Sequence, residues 1–220
     1  MTNITEDERK VFYKVLHSRR DVRSEFLQKP IPEDVLSRIL KAAHHAPSVG
    51  FMQPWDIIII EDQSKKEELK QAFIKSNNKV ADLFEKDKKK LYKSLKLEGI
   101  LEAPIGVIIT CDKNRTGPVV IGRTKNPEMD VYSSVCAVQN LWLAARAENI
   151  GVGWVSIFEN DDLKRIFNIP EDIIPIAYLC MGYVSDFHEK PELEKVGWLP
   201  RMDVNELIHY NTWEDKNESK

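Results

Sequence analysis

At 220 residues, with 42% hydrophobic and 30% charged residues and with 5 Trp, 8 Phe and 6 Tyr, the chain can bury a sizeable core and is too apolar to stay disordered. Its 32 Lys and Arg against 35 Asp and Glu leave a net charge of −3, so no global positive field recruits nucleic acid or an anionic membrane. An anionic ligand must therefore be held locally.

The first ten residues, MTNITEDERK, are polar and acidic, without the basic start and apolar stretch of a signal peptide, so export is not expected. Residues 5–17 place Val11, Phe12, Val15 and Leu16 at helical spacing with one apolar face. That helix delivers the chain to Ser18-Arg19-Arg20-Asp21-Val22-Arg23. Pro30 and Pro32 break the next stretch, and Val35, Leu36, Ile39, Leu40 and Ala43 predict a second helix from Glu33 to His45, stopped by Pro47. The run Trp55 to Glu61, rich in isoleucine and bounded by Pro54 and Asp62-Gln63-Ser64, predicts a buried strand. Its four isoleucines are far short of the ~20 apolar residues that span a bilayer.

The charged stretch Gln71 to Leu101 is broadly helical, with the Lys86 to Lys90 cluster as a solvated face. Ile105 to Thr110 predicts a second buried strand, and Lys113 to Met129, carrying Gly117, Pro118, Gly122 and Pro127, a long loop of a kind uncommon unless functional. Tyr132 to Asn149 is nearly uncharged before Arg146 and predicts a helix buried almost all round. Gly151 and Gly153 are expected to end it and lead into a third strand at Trp154 to Phe158, then a short helix, Asp161 to Phe167, and a fourth strand, Ile174 to Gly182. The alternation is too irregular for a doubly wound repeat, so the expected fold class is α+β with one central sheet. A single domain over residues 1–213 is expected, with a polar, disordered tail over 214–220. Cys111, Cys136 and Cys180 each lie in an apolar run without zinc or redox spacing, and the five histidines show no ligand pattern. Reduced core cysteines, no metal site and a soluble cytoplasmic protein are the expectation.

Two constellations carry chemistry. Arg19, Arg20 and Arg23 surround Asp21 within five residues; guanidinium groups there can fork around a phosphate or a polarised carbonyl, and the same pattern also suits an exposed ion-pair patch. Pro47-Ser48-Val49-Gly50 followed by Gln53-Pro54-Trp55 offers a hydroxyl, backbone amides and a carboxamide to a ligand ring, and equally a helix stop before a strand.

Arg19-Arg20-x-x-Arg23, Ala46-Pro47-Ser48 and Gln53-Pro54-Trp55 together resemble the flavin signature of the nitroreductase superfamily. Further on, Pro127-Glu128, Tyr132-Ser133, the run Gln139 to Glu148, Gly151-x-Gly153-Trp154-Val155-Ser156, Tyr178-Leu179-Cys180-x-Gly182 and Gly197-Trp198 are similar to that superfamily's 5,6-dimethylbenzimidazole synthase branch. Asp21 and Ser156 match that branch where ordinary nitroreductases carry other residues. The resemblance spans roughly residues 17 to 200.

It implies a nitroreductase-like FMN-binding fold, a central mixed sheet flanked by helices, and a homodimer. It also implies a reaction in which reduced FMN is a substrate, fragmented with O₂ as co-substrate, and supplied by a separate flavin reductase. The resemblance assigns Arg19, Arg20 and Arg23 to the flavin phosphate and pyrimidine edge, with Asp21 and Val22 in the same binding segment. Ser48, Lys96 and Ser156 are further flavin contacts, and Lys195 an optional phosphate contact. Asp21 and Ser156 are the implied catalytic pair, the first as proton shuttle and the second near the reactive edge; Phe73 to Leu91 is the implied lid. An FMN-dependent NAD(P)H nitroreductase or dehalogenase and a non-catalytic flavin carrier stay open as alternatives.

Overall fold

A computed structural model describes residues 3–213, and the expected tail over 214–220 lies outside the described residues. The chain divides into two compact units, residues 1–187 and 188–220. Among the described residues, the first carries six helices and the sheet; the second carries a short helix, α7 (Glu192–Lys195), and a 3₁₀ turn at Val204–Glu206.

In the first unit, α1 (Glu6–Ser18) opens on a capping box, in which Thr5 and Glu8 satisfy each other's backbone amides. The helix α2 (Glu33–His44) comes next, then a 3₁₀ turn at Val49–Phe51 and β1 (Ile57–Ile60). After these come α3 (Gln63–Ala81), α4 (Lys86–Ser94) and β2 (Ile105–Asp112), then α5 (Met129–Ala147), β3 (Ile150–Val155), α6 (Asn160–Phe167) and β4 (Ile173–Tyr183).

The strands lie in the order β1-β2-β4-β3, and all three ladders are antiparallel. The sheet expected as mixed has as its parallel component, among the described residues, only the isolated bridge Asp21↔Val152. Period-2 alternation divides the core between the two faces. Val107, Ile109, Ala177, Leu179 and Met181 pack with α2 and α5 through Ile39, Ala43, Leu141 and Ala145. Ile108, Tyr178 and Cys180 pack on the opposite face with Leu69 and Phe73 of α3 and Leu163 and Ile166 of α6.

Several boundaries differ from expectation for identifiable reasons. The strand at residues 57–60 is an edge strand, paired with β2 alone, so three of its four isoleucines are half-buried rather than buried. The charged helical stretch starts at Gln63, because Asp62 caps it by accepting from the Ser64 and Lys65 amides, and it breaks into two helices around residues 82–85. The third strand begins at Ile150, so Gly151 and Gly153 lie inside it. A Cβ on Gly153 would sit 2.0 Å from the Val22 carbonyl oxygen, so glycine here permits residues 21–22 to lie directly against the strand.

The central helix α5 is not buried all round. Tyr132 and Val135 are exposed, whereas Trp142 is buried within the chain. Phe73, expected to begin a lid, is a core residue, and Tyr92 ties α4 back to α3 by donating to Asn77 at 2.6 Å.

Candidate functional site

The arginine cluster leaves α1 as extended backbone: Arg19, its C-cap, has φ −63° and ψ 137°. The Val22 amide donates to the Val152 carbonyl at 3.0 Å, which docks this segment onto the edge of β3. Val22 contributes its side chain to the core. The flanking residues Arg19, Arg20, Asp21 and Arg23 are half-buried.

Both oxygens of Asp21 are engaged. Oδ2 accepts from Arg23 Nη2 at 2.6 Å and Nε at 3.2 Å, and Oδ1 accepts from the Trp154 backbone amide at 3.0 Å. This paired contact with a planar fork, plus a main-chain donor, fixes the carboxylate's orientation. Ser156 is exposed and is the first residue after β3, two positions beyond the amide that holds Asp21. At about 3.3 Å per extended residue, Ser156 lies about 7 Å along the chain from that amide, so the fold gathers the two candidate catalytic residues at one end of β3.

Positive charge collects beside them. The Arg19 guanidinium lies over the Trp142 ring, 4.7 Å from its centroid, and the Trp142 indole donates to the Arg20 carbonyl at 3.2 Å. Arg20 Nη1 donates to the carbonyls of His17 and Arg19, at 2.8 and 2.6 Å. Arg146 joins the group by donating to the Ser18 carbonyl at 3.3 Å; burial, with the charge of Arg20 as the lesser cause, lowers its pKa. Sequence reasoning missed Arg146, which carries no ligand role within the run Gln139 to Glu148. Its spacing of four from Trp142 along a helix was the available clue.

Lys96 and Ser48 take different places. The Lys96 ammonium pairs with Glu98 at 2.8 Å and with Glu102, while its carbonyl accepts from Arg23 Nη1 at 3.0 Å. Burial opposes the charge on Lys96, but the hydrogen bonds it donates to Glu102 and Glu98 outweigh burial and hold the pKa above the usual lysine range. It is thus the Lys96 backbone that reaches the site cluster. Ser48 Oγ accepts from the Gln53 amide at 3.1 Å, and the next amide, Val49, donates to Ser133 on α5 at 3.2 Å. Ser133 and Trp142 are nine residues apart, about 14 Å along the helix, so one chain does not bring the Ser48 loop to the arginines. Lys195 belongs to α7 of the second unit.

The donor set is that of a site for an anionic, oxygen-rich ligand: four guanidinium groups, one oriented carboxylate and one exposed hydroxyl at a strand end. Charge and donor type fit the phosphate and the anionic pyrimidine edge of reduced FMN.

A family model described as "Nitroreductase family" matches residues 16–183. The 5,6-dimethylbenzimidazole synthase of Rhodospirillum rubrum is 38% identical over 183 residues, covering 83% of this chain and 86% of that protein. The protein of the same name from Rhodobacter capsulatus is 32% identical over 196 residues, covering 89% and 94%. Among solved structures, an oxidized iodotyrosine deiodinase bound to FMN and 3-iodo-L-tyrosine superposes with a TM-score of 0.72 at 24% identity, covering 92% of this chain and all of that one. That last likeness is one of fold.

Proposed function

The chain belongs to the nitroreductase family, and from that premise we propose that it is a 5,6-dimethylbenzimidazole synthase, an enzyme that consumes reduced FMN with O₂. The observation that carries the reading is the Asp21 carboxylate, clamped by Arg23 and the Trp154 amide at the strand end that also presents Ser156. Relatives bearing that name are 38% and 32% identical to this chain over most of both lengths.

Reduced FMN supplies the electrons and the dimethylated ring that ends in the product. The chain's own residues bind it and handle protons. Arg19, Arg20 and Arg146 hold the phosphate and the anionic edge of the ring by charge-assisted hydrogen bonds. Asp21 takes the proton that must leave a ribityl carbon, since a fixed carboxylate is a general base whose lone pair already has a direction. Arg23 orients it. Ser156 supplies a hydroxyl at the reactive edge of the ring. Residues beyond Ala81, rather than the core residue Phe73, form any cover that excludes water.

The working form is a homodimer. Among the described residues, α1 has no buried residue, and Val11, Phe12 and Tyr13 stand exposed on it, as do Tyr132 and Val135 on α5. A second copy brings its Ser48 loop to the arginine cluster that this chain's own loop does not reach. The electrons come from a separate flavin reductase, and the setting is the cytoplasm, where the free cysteines stay reduced. No helix among the described residues is long and apolar enough to cross a membrane.

The test is direct: chemically reduced FMN, air and the purified protein should yield 5,6-dimethylbenzimidazole by mass spectrometry, and yield none under nitrogen. NADPH added to the protein with oxidised FMN should leave the flavin absorbance intact for minutes until a flavin reductase is supplied. Rapid bleaching by NADPH alone, with turnover of a nitroaromatic, would replace the synthase reading with a nitroreductase one. Sedimentation at micromolar concentration should give twice the chain mass.

A further inference from the structure

Glu98 is the least exposed acidic side chain of the ion pairs around the site, at 2%, yet none of the chemistry above uses it. It sits in the apolar stretch Leu97-Glu98-Gly99-Ile100-Leu101, in a segment without regular backbone hydrogen bonding. A carboxylate taken out of water needs full compensation, and this one has it. Oε1 accepts from the Lys70 ammonium of α3 and from Lys96 at 2.8 Å, and Oε2 accepts from the Ile100 amide at 2.9 Å. Burial raises its pKa, but these bonds outweigh burial and hold the group below the usual carboxylate range.

The segment is tied to the chain at residues 23–28, which continues the arginine cluster, at several points. The Lys96 carbonyl accepts from Arg23 Nη1 at 3.0 Å, and the Glu102 carbonyl accepts from Gln28 at 2.7 Å. At Gly99 a Cβ would lie 2.5 Å from the Arg23 carbonyl oxygen, so the two backbones are in direct contact. Arg23 thus has two anchors: Asp21 on one side and the Lys96 carbonyl on the other. The position of that carbonyl depends on the residue that bears it, and its ammonium end is held by Glu98 and Glu102.

We infer that Glu98 is a positioning residue for the Asp21 carboxylate, acting through the Lys96 backbone and the Arg23 guanidinium. The inference rests on the reading of Asp21 as the proton-handling group. Removing the Glu98 charge leaves Lys70 and Lys96 as two ammonium groups sharing one neutral oxygen, with Glu102 the remaining carboxylate on Lys96. Their repulsion moves Lys96, and the carbonyl that fixes Arg23 moves with it.

The experiment is a double-mutant cycle on product formation from reduced FMN in air, using Glu98→Gln, Asp21→Asn and the combination. Glu98→Gln should lower kcat about tenfold while the Kd for FMN changes less than threefold. In the Asp21→Asn background the same substitution should change kcat less than twofold, because no oriented base is left to disturb. A purely structural Glu98 would lower thermal stability with kcat unchanged, or lower kcat equally in both backgrounds; either result overturns the inference. Lys96→Met, which leaves Glu98 paired to Lys70, is the second variant, and it should also lower kcat with little change in Kd. A large loss of FMN affinity without a kcat effect would instead make the Lys96 ammonium a ligand contact and overturn the inference. A readout free of turnover separates this from the function itself. Hydrogen exchange at the Arg23 Nε, tracked by NMR, should quicken at least tenfold in Glu98→Gln, and an unchanged rate overturns the positioning role whether or not the wild type makes product.

Discussion

Replacing Gly153 with alanine tests how the site is attached to the sheet. The added Cβ would lie 2.0 Å from the Val22 carbonyl oxygen and 3.2 Å from its carbon. Both are backbone atoms, which cannot rotate away as a side-chain terminus can. The chain has two ways to relieve the clash. Compressing the contact is overpacking, at about 1–3 kcal/mol. Lifting residues 21–22 off the strand removes the Val22–Val152 backbone bond, about 0.5–1.5 kcal/mol, and the Trp154–Asp21 bond, about 1.5–3 kcal/mol for a charged acceptor. The Asp21 side chain is 32% exposed, so water softens the second loss and its lower bound applies. The first route thus costs about 1–3 kcal/mol and the second about 2–3 kcal/mol, and the second also frees the Asp21 carboxylate. Urea unfolding should therefore show a lower midpoint at an unchanged m-value, with synthase activity falling about tenfold or more. A Gly153→Ala protein within about 0.5 kcal/mol of wild type, the scale of an inconsequential surface change, and fully active would refute the argument that residues 21–22 are held by close approach to β3.

Asp21→Asn keeps the shape of the side chain but removes the base, so FMN should bind within a few-fold of wild type while product formation falls about 10²-fold or more, as read by mass spectrometry. Full synthesis by that variant would reduce Asp21 to an orienting partner of Arg23. Arg19→Ala should act on binding instead, weakening FMN by about 1.5–3 kcal/mol in a fluorescence titration, with the loss of its stack on Trp142 visible as a change in tryptophan emission. The Glu98 carboxyl is held below its ordinary 4.5 by Lys70, Lys96 and the Ile100 amide against the cost of burial, so its contribution to stability is fully present above pH 4.5 and is lost as pH falls through the folded value. Urea midpoints measured from about pH 6 to pH 3 should fall less steeply in Glu98→Gln than in wild type, and parallel curves would count against it.

Elements set by local chemistry were legible in the sequence. Helical spacing of Val35, Ile39 and Ala43 and the apolar runs at 57–60 and 105–110 all depend on residues within a turn or a strand of one another. The α+β class was legible in the same way, because periodicity is a short-range property, whereas the spacing of Arg19, Asp21 and Arg23 suited an anion site and an exposed ion-pair patch alike, and only the family resemblance favoured the first. The partners of those residues were not legible. Asp21 is oriented by the amide of Trp154, 133 residues away, and Arg23 by the carbonyl of Lys96, 73 residues away. Backbone donors and acceptors look alike at every position of a sequence. For the same reason Gly151 and Gly153 read as helix-ending punctuation, when what they provide is an absent Cβ against a segment that arrives from the far end of the chain. Lys96 read as a cation for a ligand, while Glu98 and Glu102 already hold its charge. Side-chain type limits what a residue can bind, but which partner it meets is set by packing across the sheet, where burial penalises any charge left unpaired.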